Sequence, residues 1–143
     1  MSSQSFVRTA AIAAAMILGT GCHHYSGPVP APDLSTIKTS EHGLYRAAVR
    51  TGATPIPIGR MQSWTLHIET AAGVPVDGAS IVVDGGMPQH GHGLPTRPQV
   101  TQSLGNGDHK VEGLKFSMGG WWRMIFIVRA GVSVDTVVFN ASL

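Results

Sequence analysis

Trp64-Thr65-Leu66-His67-Ile68-Glu69 is the stretch whose reading decides the fold. Large apolar residues alternate there with polar ones, the period of a strand that buries one face and wets the other. Trp64, Leu66 and Ile68 would then enter a core, and His67 would face outward as a solvated strand residue. Working outward, residues 44–50 read as a first edge strand, while Thr54-Pro55-Ile56-Pro57-Ile58-Gly59 carries too much proline for a central one. Ala79, Ile81 and Val83 alternate with Ser80 and Val82, a short strand that runs on toward Met87. Residues 97–104 form a weaker strand, and Gly105-Asn106-Gly107-Asp108 is a strong turn. His109 and Val111 share one face, whereas Leu114, Phe116 and Met118 share one of opposite parity, so Gly113 at the change of register predicts a bulge. Between Trp122 and Arg129 the chain is apolar on both faces apart from Arg123, the mark of a central strand. Gly131 then turns the chain into residues 132–139, which close the domain. About seven short strands with regular turn signals and no helical periodicity predict an antiparallel β-sandwich.

The 143 residues, less a leader, suit one domain of common size. Charged residues are sparse and glycine and proline abundant, a balance that fits a β-rich domain better than a disordered tail or a helical bundle. The net charge is only +2 and the basic residues are scattered, so no nucleic-acid partner is expected.

Residues 1–22 read as an export signal. Arg8 supplies the positive end, residues 10–18 a short apolar run, and Gly19-Thr20-Gly21 the small residues before Cys22. That run is about half of the ~20 residues a membrane-spanning helix needs. Cys22 is the only cysteine, and its setting resembles a bacterial lipobox, with Leu18 four positions before it. The expectation is lipidation at Cys22 and a periplasm-facing lipoprotein held to a bacterial envelope membrane. Simple secretion with a free thiol is the competing reading. His23, rather than aspartate, after the cysteine slightly favours the outer membrane. Residues 23–42 are Pro-rich and would be an extended tether, with the folded domain at 43–143.

Met87-Pro88-Gln89-His90-Gly91-His92-Gly93 carries the most chemistry. If it is extended, His90 and His92 lie on one side, about 7 Å apart at Cα, with Gly91 leaving room between them. Imidazole is the commonest protein metal ligand, and thioether sulfur favours Cu(I). Met118 stands just before Gly119-Gly120 and could approach this loop at one end of a sandwich. The bland alternatives are that Met87 and Met118 fill the core and that the histidines bond to loop carbonyls.

In order along the chain stand Trp64-Thr-Leu-His-Ile, Gly73-Val-Pro-Val-Asp-Gly-Ala-Ser-Ile, Met87-Pro-Gln-His-Gly-His-Gly, and Gly107-Asp-His-Lys-Val-Glu-Gly-Leu-Lys-Phe-Ser-Met-Gly-Gly-Trp-Trp. Together they resemble the YtkA-like domain, related to FixH proteins, from Met61 to Leu143. The resemblance implies an immunoglobulin-like, membrane-associated, extracytoplasmic sandwich. Through FixH it implies a link to the assembly of copper-containing respiratory oxidases. It transfers no catalytic residue.

Enzymatic motifs are absent: there is no nucleophile elbow, no His-Glu-x-x-His, no phosphate loop and no evident carboxylate pair. A non-enzymatic role is therefore expected. One form of it is a copper-handling module using His90, His92, Met87 and Met118, or one assisting assembly of a membrane metalloprotein. The other is a structural module that presents Trp121 or Trp122 to a partner in an envelope complex and holds no metal.

Overall fold

Trp64, Leu66 and Ile68 are buried, as their alternation requires, on a nine-residue strand at the centre of a five-stranded sheet. The computed structural model describes residues 31–143. Nine strands follow in chain order: β1 (Ile37–Thr39), β2 (Tyr45–Thr51), β3 (Gln62–Thr70), β4 (Ser80–Met87), β5 (His92–Gly93), β6 (Gln99–Gly105), β7 (Asp108–Leu114), β8 (Trp121–Ala130) and β9 (Ser133–Ser142). One sheet has the order β1-β2-β3-β7-β6 and the other β5-β4-β8-β9, with every pairing antiparallel. Without the two shortest strands, β1 and β5, the remaining order β2-β3-β7-β6 over β4-β8-β9 is that of a constant-type immunoglobulin sandwich. The expected fold class and strand number stand, with two short edge strands added.

Between the sheets the core is aromatic. Phe116 lies with its ring centre 5.7 Å from Trp64 and 5.2 Å from Trp122, and Phe126 meets Phe139 edge-on at 5.9 Å. Such tilted and edge-on pairs stabilise beyond the area they bury. Trp122, Met124, Phe126 and Val128 fill one face of β8, which lies between β4 and β9 as a central strand. His109 is buried beside Val111 as parity predicts, and its Nε2 donates to the Val76 carbonyl at 2.7 Å.

The bulge falls where Gly113 marked it. Gln62 faces Leu114 while Trp64 faces Val111, so three steps of β7 match two of β3, and Gly113 takes φ +83°. Asn106 and Gly107 both have positive φ, which makes the β6–β7 hairpin turn the twist-compatible primed kind. Gly107 is doubly constrained, because a Cβ there would lie 2.4 Å from the Ile68 carbonyl oxygen.

Several expectations need correction. The sandwich reaches back beyond Gly43: β1, inside the stretch read as tether, pairs with β2 and takes the edge expected of residues 44–50. The strand read through Met118 ends at Leu114. His67 does face outward, yet it is half-buried, with Nδ1 2.8 Å from the Asp108 carboxylate. The signal segment 1–22, Cys22 and the first part of the tether lie outside the described residues.

The turn between β1 and β2 is latched to β9 by Asp135, whose carboxylate is buried. It accepts hydrogen bonds from the backbone amides of His42, Leu44 and Thr136 and contacts His42 Nδ1 at 2.9 Å. Burial alone would raise its pKa. The nearby Ser40 hydroxyl, the His42 ring and the amide hydrogen bonds outweigh that and hold the carboxyl far below its ordinary value. The same contact raises His42. A depressed carboxylate contributes stability that is full above its unfolded pKa and is lost as pH falls through the folded one. Asp135→Asn is therefore expected to cost about 1–3 kcal/mol at pH 6. In thermal melts its gap to the wild type should narrow as pH drops below the ordinary aspartate value of 3.8, and a gap that does not vary with pH would refute the latch.

Candidate functional site

The histidine stretch begins as strand. β4 continues through Gly85 and Gly86 to Met87, and parity sends Met87 inward, where it is 1% exposed. Both glycines are needed for close approach. A Cβ on Gly85 would lie 2.8 Å from the Arg123 carbonyl oxygen, and one on Gly86 2.6 Å from that of His92. With neither present, β5 folds back so that His92 pairs with Met87 and Gly93 with Gly86.

Residues 88–91 make the turn. The amides of His90 and Gly91 donate to the Met87 carbonyl at 3.1 and 3.0 Å, Gly91 takes φ +66°, and the Leu94 amide closes the hairpin onto the Gly85 carbonyl at 3.0 Å. This hairpin leaves both imidazoles exposed, with ring centres 5.9 Å apart and planes inclined by 26°. The two rings thus do come together at the rim. His92 Nδ1 lies 3.4 Å from the Gly93 carbonyl, a long contact that fixes the ring weakly.

Beneath them stands Trp122. Its ring meets His92 edge-on at 5.9 Å, and its Nε1 donates to the Met118 carbonyl at 3.0 Å. Gly120, at φ +123°, passes so close to Met87 that a Cβ would lie 2.8 Å from its methyl carbon. The loop carrying Met118 therefore shares this end of the sandwich with the hairpin, and Met118 is 44% exposed.

Two predicted site residues are thereby reassigned. Met87 is a core residue and does not present its sulfur beside the imidazoles, because its strand parity faces inward. Trp122 is fully buried and cannot anchor a partner, since it alternates with Met124 and Phe126 on the core face of β8. Trp121 is half-buried on the outer face, its Nε1 donating to Asn140 Oδ1 at 2.9 Å. Cys22 lies outside the described residues.

Arg123 was not anticipated. It lines, with His92 and Ile125, a hollow of about 280 Å³ below the hairpin. A guanidinium there makes that hollow a poor seat for a cation, so an ion held by the pair would sit on its solvent side. The signal was available, because Arg123 has the outward parity of β8. Among the described residues no group of three or more His, Cys, Asp or Glu is placed to hold a metal ion. A metal at the pair would need a thioether, water or a partner's ligand to complete its shell. Met118 is an exposed thioether on the neighbouring loop, and with it the donor set would fit a soft monovalent ion better than zinc or calcium.

Against known proteins, the profile of the family described as YtkA-like matches residues 45–126, from the start of β2 into β8. No curated protein matches. A solved structure titled ZirS C-terminal Domain is similar at 13% identity over 95% of this chain and 97% of that one. Its TM-score of 0.40 is too low for a shared fold to follow from it.

The two methionines are expected to respond differently. Met87→Ala should cost about 2–5 kcal/mol, and Met118→Ala should stay within about 0.5 kcal/mol. Urea unfolding of both variants checks this, and equal costs would contradict the burial assignment.

Proposed function

The chain belongs to the YtkA-like family, and we propose that it is an extracytoplasmic binding module that takes copper transiently at the His90–His92 pair. The observation that carries the reading is the spacing of the rings. Imidazole nitrogens sit about 2.0–2.1 Å from a bound metal such as zinc, so two imidazoles sharing one ion hold their ring centres about 5–6 Å apart. The free chain holds them 5.9 Å apart and stacked, planes inclined by 26°, on a short, hydrogen-bonded hairpin, so rotation of one ring about its side-chain torsions would bring both nitrogens onto one ion. Met118, exposed on the loop whose carbonyl Trp122 holds, could add a third, soft donor.

An exposed pair with at most one thioether has few protein ligands and an open approach. That suits passing an ion on more than storing it. The role proposed is handling copper or assisting assembly of a membrane metalloprotein, without turnover, in keeping with the resemblance to FixH proteins drawn from the sequence. Lipidation at Cys22 would tether the module to the periplasmic side of a bacterial envelope membrane, the outer membrane slightly favoured.

A Cu(I) competition titration of the full chain tests the proposal. His90→Ala/His92→Ala is expected to weaken uptake at least tenfold, and Met118→Ala several-fold. Equal uptake by all three proteins would end the copper reading.

A docking role without metal is favoured by a different observation. The outer face of the four-stranded sheet exposes Val82 (58%), Ile127 (39%) and Val134 (37%), with Trp121 at its end. An apolar patch of this kind is a common mark of an interaction surface. Loss of a partner on Ile127→Asp or Trp121→Ala, but not on changing the histidines, would select that reading.

A further inference from the structure

We infer that the open seam between β9 and the β1–β2 side of the sandwich is a docking site for an extended, uncharged peptide strand. The inference is independent of copper at the hairpin. A cleft of about 610 Å³ lies along this seam, within the size range of ligand sites. Its floor is Val49, Trp64, Phe139 and Ala141, and Leu34 and Ile58 stand half-exposed among its lining. The remaining polar lining consists of hydroxyls and the Asn140 amide, with no charged side chain. Charge complementarity therefore calls for a neutral occupant.

The edge of β9 adds directionality. Leu143 exchanges both backbone hydrogen bonds with Gly120, so residues of that parity point their main-chain groups at β8. Thr136, of the other parity, turns its carbonyl outward and accepts from the Glu41 amide at 2.8 Å. By the same alternation Asn140 and Ser142, which line the cleft, aim their main-chain groups at its open side, whereas Val138 lies behind β1. Among the described residues these groups have no backbone partner. Asn140 uses its side chain, not its main chain, to reach the Asp33 carbonyl at 2.9 Å.

An unpaired edge beside an apolar cleft matches recognition by strand addition. Main-chain pairing would give affinity, and every second side chain would enter the cleft to give specificity. An acyl chain would match the apolar lining but leave the edge groups unused. That is why the peptide is the occupant inferred.

The probe is a capped peptide of alternating threonine and valine, titrated against the full chain by fluorescence anisotropy. Its counterpart carries N-methyl groups on the residues that would donate to β9. Binding of the first peptide is expected, with at least a tenfold loss on N-methylation. Ser142→Pro removes an outward-facing donor without touching the β8 pairing, and Ile58→Asp charges the mouth of the cleft. Each should cost at least tenfold in affinity while the thermal melt stays near that of the wild type. If Ser142→Pro lowers the melt, the N-methylated peptide, which leaves the protein unaltered, decides alone. No binding, equal binding of both peptides, or uptake of a fluorescent fatty acid that the peptide does not displace would overturn the inference.

Discussion

The buried indole of Trp122 is the contact on which the rest of the molecule depends. One side packs against Phe116, which in turn meets Trp64 across the sandwich, so the ring belongs to the core joining the two sheets. Its edge supports His92, and its N–H holds the carbonyl of Met118. A single fully buried side chain thus ties sheet packing to the position of the hairpin and of the loop that carries Met118. Burying an indole without a partner for its N–H would be costly. The loop after β7 must therefore come within reach of Trp122, and the placement of Met118 follows from that requirement.

Close backbone approach is the second constraint. Gly85 and Gly86 let β5 and β8 flank the end of β4, and Gly120 lets the Met118 loop pass over Met87. These glycines fail to bury anything themselves. What they permit is a tip where two imidazoles, an indole edge and a thioether-bearing loop meet within a few residues of the core. At the opposite corner, the buried Asp135 gathers the amides of the β1–β2 turn. Its hydrogen bonds stand in for the side chains that such a short first strand lacks.

Much of this was legible in the sequence because strand parity is a strong signal. The alternation at Trp64, the register change at Gly113 and the Asn106-Gly107 turn each correspond to an observed feature of the fold. Parity also held the answer that was missed. Ile81, Val83, Gly85 and Met87 share one face, so following β4 through its glycines would have placed Met87 in the core. Reading Met87 to Gly93 as one loop hid that continuation. Trp122 was likewise fixed by its spacing to Met124 and Phe126. β1 was invisible because three residues carry almost no period, and its pairing depends on β2 and on Asp135, which is distant in the chain. Side-chain spacing at the histidine pair depends on turn geometry and lay beyond any pattern.

The histidine tip and the open seam are neighbours through one short loop. Gly120 exchanges hydrogen bonds with Leu143 at the end of the seam, and a Cβ on Gly119 would lie 3.6 Å from Ile58 at the mouth of the cleft. The next residue back is Met118, and its carbonyl is held by Trp122, which supports His92. A strand laid along β9 would press on Leu143 and Ile58, so its contacts would reach the loop that positions the thioether. Contact alone does not make the sites communicate. A coupling free energy arises only if the docked strand and the bound ion prefer different arrangements of residues 117–120, and it would then act equally in both directions. Tight packing at Gly120 against the Met87 methyl leaves that loop little room for intermediate positions. Any such shift would have to carry Met118 with it.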